Sequence, residues 1–139
     1  MHILLIDDEE FVRLTLSQAL QAEGCRVTTA PNGATGIELL KKVGVDCVIS
    51  DLRMPGMDGL AVLRWITEHQ PDVDVIMLTG HGAVKDAVEA MRIGAWDFLI
   101  KDTPFDPSQV QAAITRLTTV RRLRQENLAL RLGQQSSGQ

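Results

Sequence analysis

Val45-Asp46-Cys47-Val48-Ile49-Ser50-Asp51-Leu52-Arg53-Met54-Pro55-Gly56-Met57-Asp58-Gly59 is the stretch on which the fold turns. An apolar run ends abruptly in a carboxylate, and turn chemistry follows at once. Short runs rich in Val and Ile read as buried strands. Pro55-Gly56 and Asp58-Gly59 are turn punctuation. Asp51 therefore stands at the carboxyl end of a strand, on the rim of a sheet, where open α/β sheets hold their ligands. An unpaired carboxylate is costly to bury. Asp51 is either a cap or turn aspartate, or a nucleophile or metal ligand, and the rest of the chain decides between them.

The bulk composition narrows the classes. The chain has 139 residues, enough for one domain with a real core, and 45% are hydrophobic, which is ordinary for a globular protein. A net charge of −4 argues against a general nucleic-acid binder, whose footprint is a basic patch. No apolar run approaches the ~20 residues of a membrane span. The start, Met1-His2-Ile3-Leu4-Leu5-Ile6-Asp7-Asp8, lacks the basic region of a signal peptide, so a cytoplasmic location is expected. Cys25 and Cys47 lie in apolar runs and read as buried free thiols. Tyrosine is absent and aromatics make up only 4%, so the core must be aliphatic.

Strands and helices alternate along the chain. Ile3 to Ile6 is a short apolar strand, followed by the acidic run Asp7-Asp8-Glu9-Glu10. A helix follows with Phe11, Val12, Leu14, Leu16, Ala19 and Leu20 at its apolar positions, stopped by Gly24. Further strands are predicted at 25–30, 45–50, 73–78 and 96–100. Helices are predicted at 34–43, 60–69 and 83–93, and from Ser108 onward. This is the βαβ signature. Right-handed crossovers place helices on both faces of a parallel sheet. The fold class is therefore α/β, a doubly wound five-stranded flavodoxin-like (βα)5 sheet of order 2-1-3-4-5. Its switch point lies between strands 1 and 3.

That topology gathers Asp7, Asp8 and Asp51 into one pocket. Two unit charges ~4 Å apart at an effective dielectric of ~20 repel by roughly 4 kcal/mol. Either some of the carboxylates are protonated or a cation neutralises them. Mg²⁺, a hard ion that keeps several waters, fits best. Ca²⁺ would want more oxygens, and Zn²⁺ would want His or Cys, for which only His81 is near. Strand 4 ends at Thr79, a hydroxyl donor, and strand 5 ends at Lys101, a point charge suited to phosphate. Carboxylates, a metal, a hydroxyl and a lysine around a central Asp describe phosphoryl transfer onto that carboxylate.

The chain resembles the receiver domain of bacterial two-component response regulators. The matching residues are Ile6-Asp7-Asp8-Glu9, Asp51 through Gly59, Leu78-Thr79-Gly80-His81-Gly82, and Gly94-Ala95-Trp96-Asp97-Phe98-Leu99-Ile100-Lys101. They cover residues 1–119, and all four lie in order at strand ends. The resemblance implies a self-catalysed switch rather than an enzyme: Asp51 accepts a phosphoryl group from a sensor histidine kinase. It implies Mg²⁺ held by Asp8, Asp51 and the backbone carbonyl of Arg53, with Asp7 helping through water. Thr79 and Lys101 would bind the phosphoryl oxygens, and Phe98 would be the rotating aromatic. The face of helix 4, strand 5 and helix 5 would carry the output. One departure is plain: the family's lysine is usually followed by proline, and here Asp102-Thr103 intervene before Pro104. A non-proline cis bond there would cost ~3 kcal/mol, so the loop is either strained or rebuilt.

Other residues have simpler readings. Asp58 is read as turn and helix-start chemistry. Arg53 is placed either at the pocket mouth or on the plain surface. The last helix is predicted to run to about Leu132, longer than packing needs. Val120, Leu123, Asn127 and Leu130 give a short a/d pattern with Asn as a register device. Residues 120–139 are read as a helical extension or linker with a disordered tail from Gly133. The extension resembles the dimerising linkers of nitrogen-regulation-type transcriptional activators. A homodimer through that helix and the output face is the matching expectation, with no DNA contact by this domain and the output domain absent from the chain. The competing enzyme reading is a Mg²⁺-dependent aspartyl-phosphate phosphatase. Such enzymes put the nucleophile after strand 1 with a second Asp two residues on, where this chain has Glu9. A flavin module is opposed by the acidic run, which repels phosphate.

Overall fold

The computed structural model describes residues 1–80, 84–102 and 104–137, with side-chain surroundings as far as Gly133. The elements are β1 His2–Ile6, α1 Glu10–Ala22, β2 Arg26–Ala30, α2 Gly33–Lys42, β3 Cys47–Asp51, α3 Gly59–His69, β4 Asp74–Thr79, α4 Val84–Ile93, β5 Asp97–Ile100 and α5 Ser108–Ser137. The strands pair in parallel, in the order β2-β1-β3-β4-β5 that the alternation predicts. Element limits fall within two residues of expectation, except that α5 runs on to Ser137 where an end near Leu132 is expected.

Side-chain alternation along each strand divides the core in two. Leu4, Ile6, Val48, Val75 and Met77 face α2, α3 and α4, meeting Ile37, Leu40, Val62, Leu63, Ile66 and Ala90. Ile3, Leu5, Cys47, Ile49, Ile76 and Leu78 face α1 and α5, meeting Val12, Leu16, Leu20, Val110, Ala113, Ile114 and Leu117. The central strands β1 and β3 are buried along their whole length, which is why they read as unbroken apolar runs. Each fully buried aliphatic side chain contributes about 1.5–3 kcal/mol.

On α1 only the positions Val12, Leu16 and Leu20 reach the core, a strict i, i+4, i+8 stripe. Phe11 and Leu14, expected inward from their apolar character, are 67% and 55% exposed. At about 100° per residue, Phe11 lies roughly 140° and Leu14 roughly 160° from the middle of that stripe, on the far side of the helix, and hydrophobicity alone did not reveal it.

Helix α5 packs on the sheet through Val110 to Leu117 and then continues beyond it. The predicted disordered tail from Gly133 is helical as far as Ser137. Gly138 and Gln139 lie outside the described residues. The segment has no proline, and one glycine within a helix costs only about 1 kcal/mol. Past Leu117 the helix is held by an ionic clasp rather than by apolar burial. Arg121 Nη1 donates to the carbonyls of Asp46 (3.0 Å) and Asp72 (3.2 Å) and to Asp74 Oδ2 (2.7 Å). Arg124 Nη1 reaches the same carboxylate at 2.9 Å. The Asp74 side chain is 13% exposed, so this pair is worth more than an ordinary surface ion pair.

Arg121→Gln leaves Asp74 short of its main cation. It should lower stability by about 1–2 kcal/mol in denaturant melts. Hydrogen exchange should quicken first at the α5 amides beyond Leu117, while the β1 and β3 amides keep their protection.

Candidate functional site

The pocket is built at the carboxyl ends of the strands. Asp7 follows β1 directly and is fully buried, and its own amide donates to the carbonyl of Ala30 at the end of β2 (3.2 Å). Asp51 is the last residue of β3 and is 5% exposed. Behind it, the Leu52 amide donates to the Leu78 carbonyl (2.8 Å), and the Gly59 amide donates to the Leu52 carbonyl (2.9 Å). Gly59 is required by space: a Cβ there would fall onto the carbonyl oxygen of Asp51 and onto Met77 Cε. Asp58 caps α3 by accepting from the Ala61 amide at 2.9 Å, as its turn reading expects. The turn after β3 thus starts α3 hard against the main chain of Asp51.

Thr79 closes β4 and is buried, with its hydroxyl donating to the Gly80 carbonyl at 3.2 Å. Its own carbonyl accepts from the Lys101 amide at 2.8 Å, which ties the ends of β4 and β5 together. The Lys101 amine reaches Asp51 Oδ2 at 3.1 Å, Glu9 Oε1 at 3.1 Å and Asp7 Oδ2 at 3.3 Å. Asp7, Asp8, Glu9 and Asp51 each offer a carboxylate oxygen, and these oxygens lie within 4.8 Å of one another.

Burial, and then the charge of Asp7, push the Asp51 carboxyl up to about 6, although Lys101 and the Arg53 amide pull it down. Burial likewise raises Asp7, against the hydrogen bond from the Glu9 amide and the charge of Lys101. For Lys101, burial opposes the charge, but Asp7 and Asp51 outweigh it and the amine stays protonated. Among the described residues, four carboxylates against one ammonium leave the cluster short of positive charge. Its donor set is all oxygen, which suits a hard divalent ion and not zinc.

Asp7, Asp8, Asp51 and Lys101 therefore converge as the sheet topology requires, and Thr79 joins them through the main chain of Lys101. Phe98 lies on β5, three residues before Lys101, and is 37% exposed, with Ile100 and the α4 residues Val84, Val88 and Met91 also exposed. The Arg53 side chain is turned to α4, where its guanidinium pairs with Asp86 at 2.5 Å, while its main-chain amide serves Asp51. His81 and Thr103, singled out in the sequence, lie outside the described residues. Glu9 was missed as a pocket member. The signal was the run from Asp7 to Glu10, but nothing in the sequence says that Glu9 turns inward while Glu10 begins α1.

The family model of the response regulator receiver domain matches residues 3–115. This chain belongs to that family. Receiver domains are signalling switches rather than substrate-turning enzymes. The receiver is 43% identical over 130 residues to the C4-dicarboxylate transport transcriptional regulatory protein DctD of Pseudomonas aeruginosa, covering 94% of this chain and 28% of that protein. It thus spans little more than a quarter of that relative's length. Among solved structures it superposes on NtrX from Brucella abortus with a TM-score of 0.85 at 31% identity, covering 93% of this chain and 29% of NtrX. It also matches the response regulator TrrA of Thermotoga maritima, solved in complex with Mg²⁺–BeF, with a TM-score of 0.74 at 29% identity, covering 84% of this chain and 97% of TrrA. Among the described residues no helix of the receiver is long and apolar enough to cross a membrane.

The raised Asp51 has a consequence for stability. A carboxyl whose folded pKa exceeds its unfolded value favours folding most below about pH 4, and that advantage is lost as pH rises through about 6. In metal-free protein, Asp51→Asn should therefore raise stability at pH 7 by about 1–2 kcal/mol relative to wild type. The gain should vanish below about pH 4, read from thermal melts across that range.

Proposed function

We propose that this receiver is a phosphorylatable switch in which Asp51 accepts a phosphoryl group from a sensor histidine kinase. One observation carries the reading: a nearly buried carboxylate at a strand end has a protonated amine 3.1 Å away and other carboxylates within 4.8 Å. A carboxylate so held is oriented and close to a charge that can balance an incoming phosphoryl group. An Asp51 oxygen attacks phosphorus, the new P–O bond forms as the P–N bond of a phosphohistidine breaks, and the electron pair leaves with the imidazole nitrogen. Lys101 and the Thr79 hydroxyl take the charge on the phosphoryl oxygens.

Asp7, Asp8, Asp51 and the backbone carbonyl of Arg53 would hold Mg²⁺, which supplies charge neutralisation at the phosphoryl oxygens. The all-oxygen cluster supports this choice, and the Mg²⁺–BeF complex of TrrA is consistent with it. With Thr79 drawn to the phosphoryl group, Phe98 turns inward and alters the face of α4, β5 and α5. That face is already apolar and open at Val88, Met91, Phe98 and Ile100. The output is regulation of transcription through a further domain, a reading supported by the likeness to the transcriptional regulatory protein DctD. Residues 1–119 form the receiver. Residues 120–139 form the linker, whose exposed Leu123 and Leu130 suit a homodimer.

Incubation with a small phosphoramidate and Mg²⁺ should add one phosphoryl group by intact mass, and Asp51→Asn should abolish it. A wild-type protein that gains no mass, or an Asn variant that still gains it, overturns the assignment. Steady phosphoester hydrolysis without an adduct would instead indicate phosphatase chemistry.

A further inference from the structure

Glu9 breaks a local rule. It stands at the N-cap of α1 in extended backbone, and its side chain makes no capping hydrogen bond. Ser, Thr, Asp and Asn are the favoured caps, and replacing one with a non-capping residue costs about 1 kcal/mol. The next two helices along the chain obey the rule: Asn32 caps α2 by accepting from the Thr35 amide, and Asp58 caps α3. The Glu9 carboxylate is turned away from its own helix, with Oε1 3.1 Å from the Lys101 amine. Sites where a sequence violates its local preferences are where function is found.

Lys101 supplies the complementary half. An ammonium has three N–H donors and no acceptor. Lys101 faces three carboxylates, and their side chains differ in depth: Asp7 is 0%, Asp51 7% and Glu9 58% exposed. Two acceptors lie beneath the amine, and Glu9 approaches from the solvent side. The Glu9 amide also donates to Asp7 Oδ1 at 2.8 Å. A single residue therefore orients the buried carboxylate with its main chain and the amine with its side chain. A lysine stem is flexible, so an amine held by two neighbours has one donor free to swing toward water.

We propose that Glu9 is a positioning residue whose carboxylate takes the third N–H of Lys101 and keeps the ammonium over Asp51. The role rests on the reading of Asp51 as the phosphoacceptor. As the P–O bond to Asp51 forms and the donor's P–N bond breaks, the amine must already face the phosphoryl oxygens. Glu9 fixes how completely it does so. No proton or electron passes through Glu9.

Two substitutions separate holding from charge. Glu9→Gln keeps an acceptor and loses the charge; Glu9→Ala loses both. With a small phosphoramidate and saturating Mg²⁺, the Ala variant should label Asp51 about tenfold more slowly than the Gln variant, with the loss in the maximal rate and not in the donor KM. Without donor or metal, the Lys101 ammonium should give a slowly exchanging proton–nitrogen NMR signal in wild type and in Gln, and lose it in Ala. Equal labelling rates and equal ammonium exchange in the two variants overturn the proposal. So does a change confined to the thermal stability of α1, which would make Glu9 only a poor cap. If the wild type takes up no phosphoryl group, the phosphoacceptor reading fails, and the ammonium exchange still decides whether Glu9 holds Lys101.

Discussion

One ammonium among four carboxylates is the constraint on which the rest of the molecule depends. Asp7 and Asp51 are both nearly inaccessible, and like charges at such range cost several kcal/mol at protein-like dielectrics. Lys101 offsets part of that cost by bonding to both. Asp8 and Glu9 add their charge at the exposed margin, where water screens it. The cluster persists because the scaffold beneath it is rigid. Five parallel strands with two aliphatic layers hold the acids at fixed distances, and the acids cannot relax apart. Stability is given up locally, and positive charge that binds there returns it.

The same strands carry a second charged cluster at their other ends. β3 follows Asp46 and ends in Asp51, while β4 begins at Asp74 and ends at Thr79. Arg121 and Arg124 of α5 grip Asp46 and Asp74. A strand of this length spans about 17 Å, so the candidate phosphorylation site and the clasp on the extended helix lie at opposite edges of the sheet. The clasp makes the first turns beyond Leu117 continuous with the domain. The exposed leucines further along are thereby presented in a defined direction.

The fold was largely legible because its signals are local and redundant. Unbroken runs such as Ile3 to Ile6 and Val48 to Ile49 can be buried strands in few other ways. The Gly and Pro punctuation and the ten-residue helices leave one layered solution. Most of the pocket followed from topology, since strand order alone brings residue 7 to residue 51. Failures came where direction mattered more than identity. Phe11 and Leu14 are as apolar as Val12 and Leu16, yet they point to water because the helix is rolled to bury the other stripe. Arg53 could be read at the pocket mouth or on the plain surface, and its exposed side chain pairs with Asp86 of α4.

The sequence by itself determined the alternating architecture, the aliphatic core and the placing of Asp51, Thr79 and Lys101 at strand ends, because periodicity and turn chemistry are properties of neighbouring residues. Only the tertiary structure decided that Glu9 abandons its helix for Lys101, that Arg121 binds the far edge of the sheet, and that α5 runs on to Ser137 as one helix. The two ionic contacts depend on which side chains converge across more than forty residues of chain. An acidic run or an arginine cluster carries no local mark of the partner that packing will bring to it.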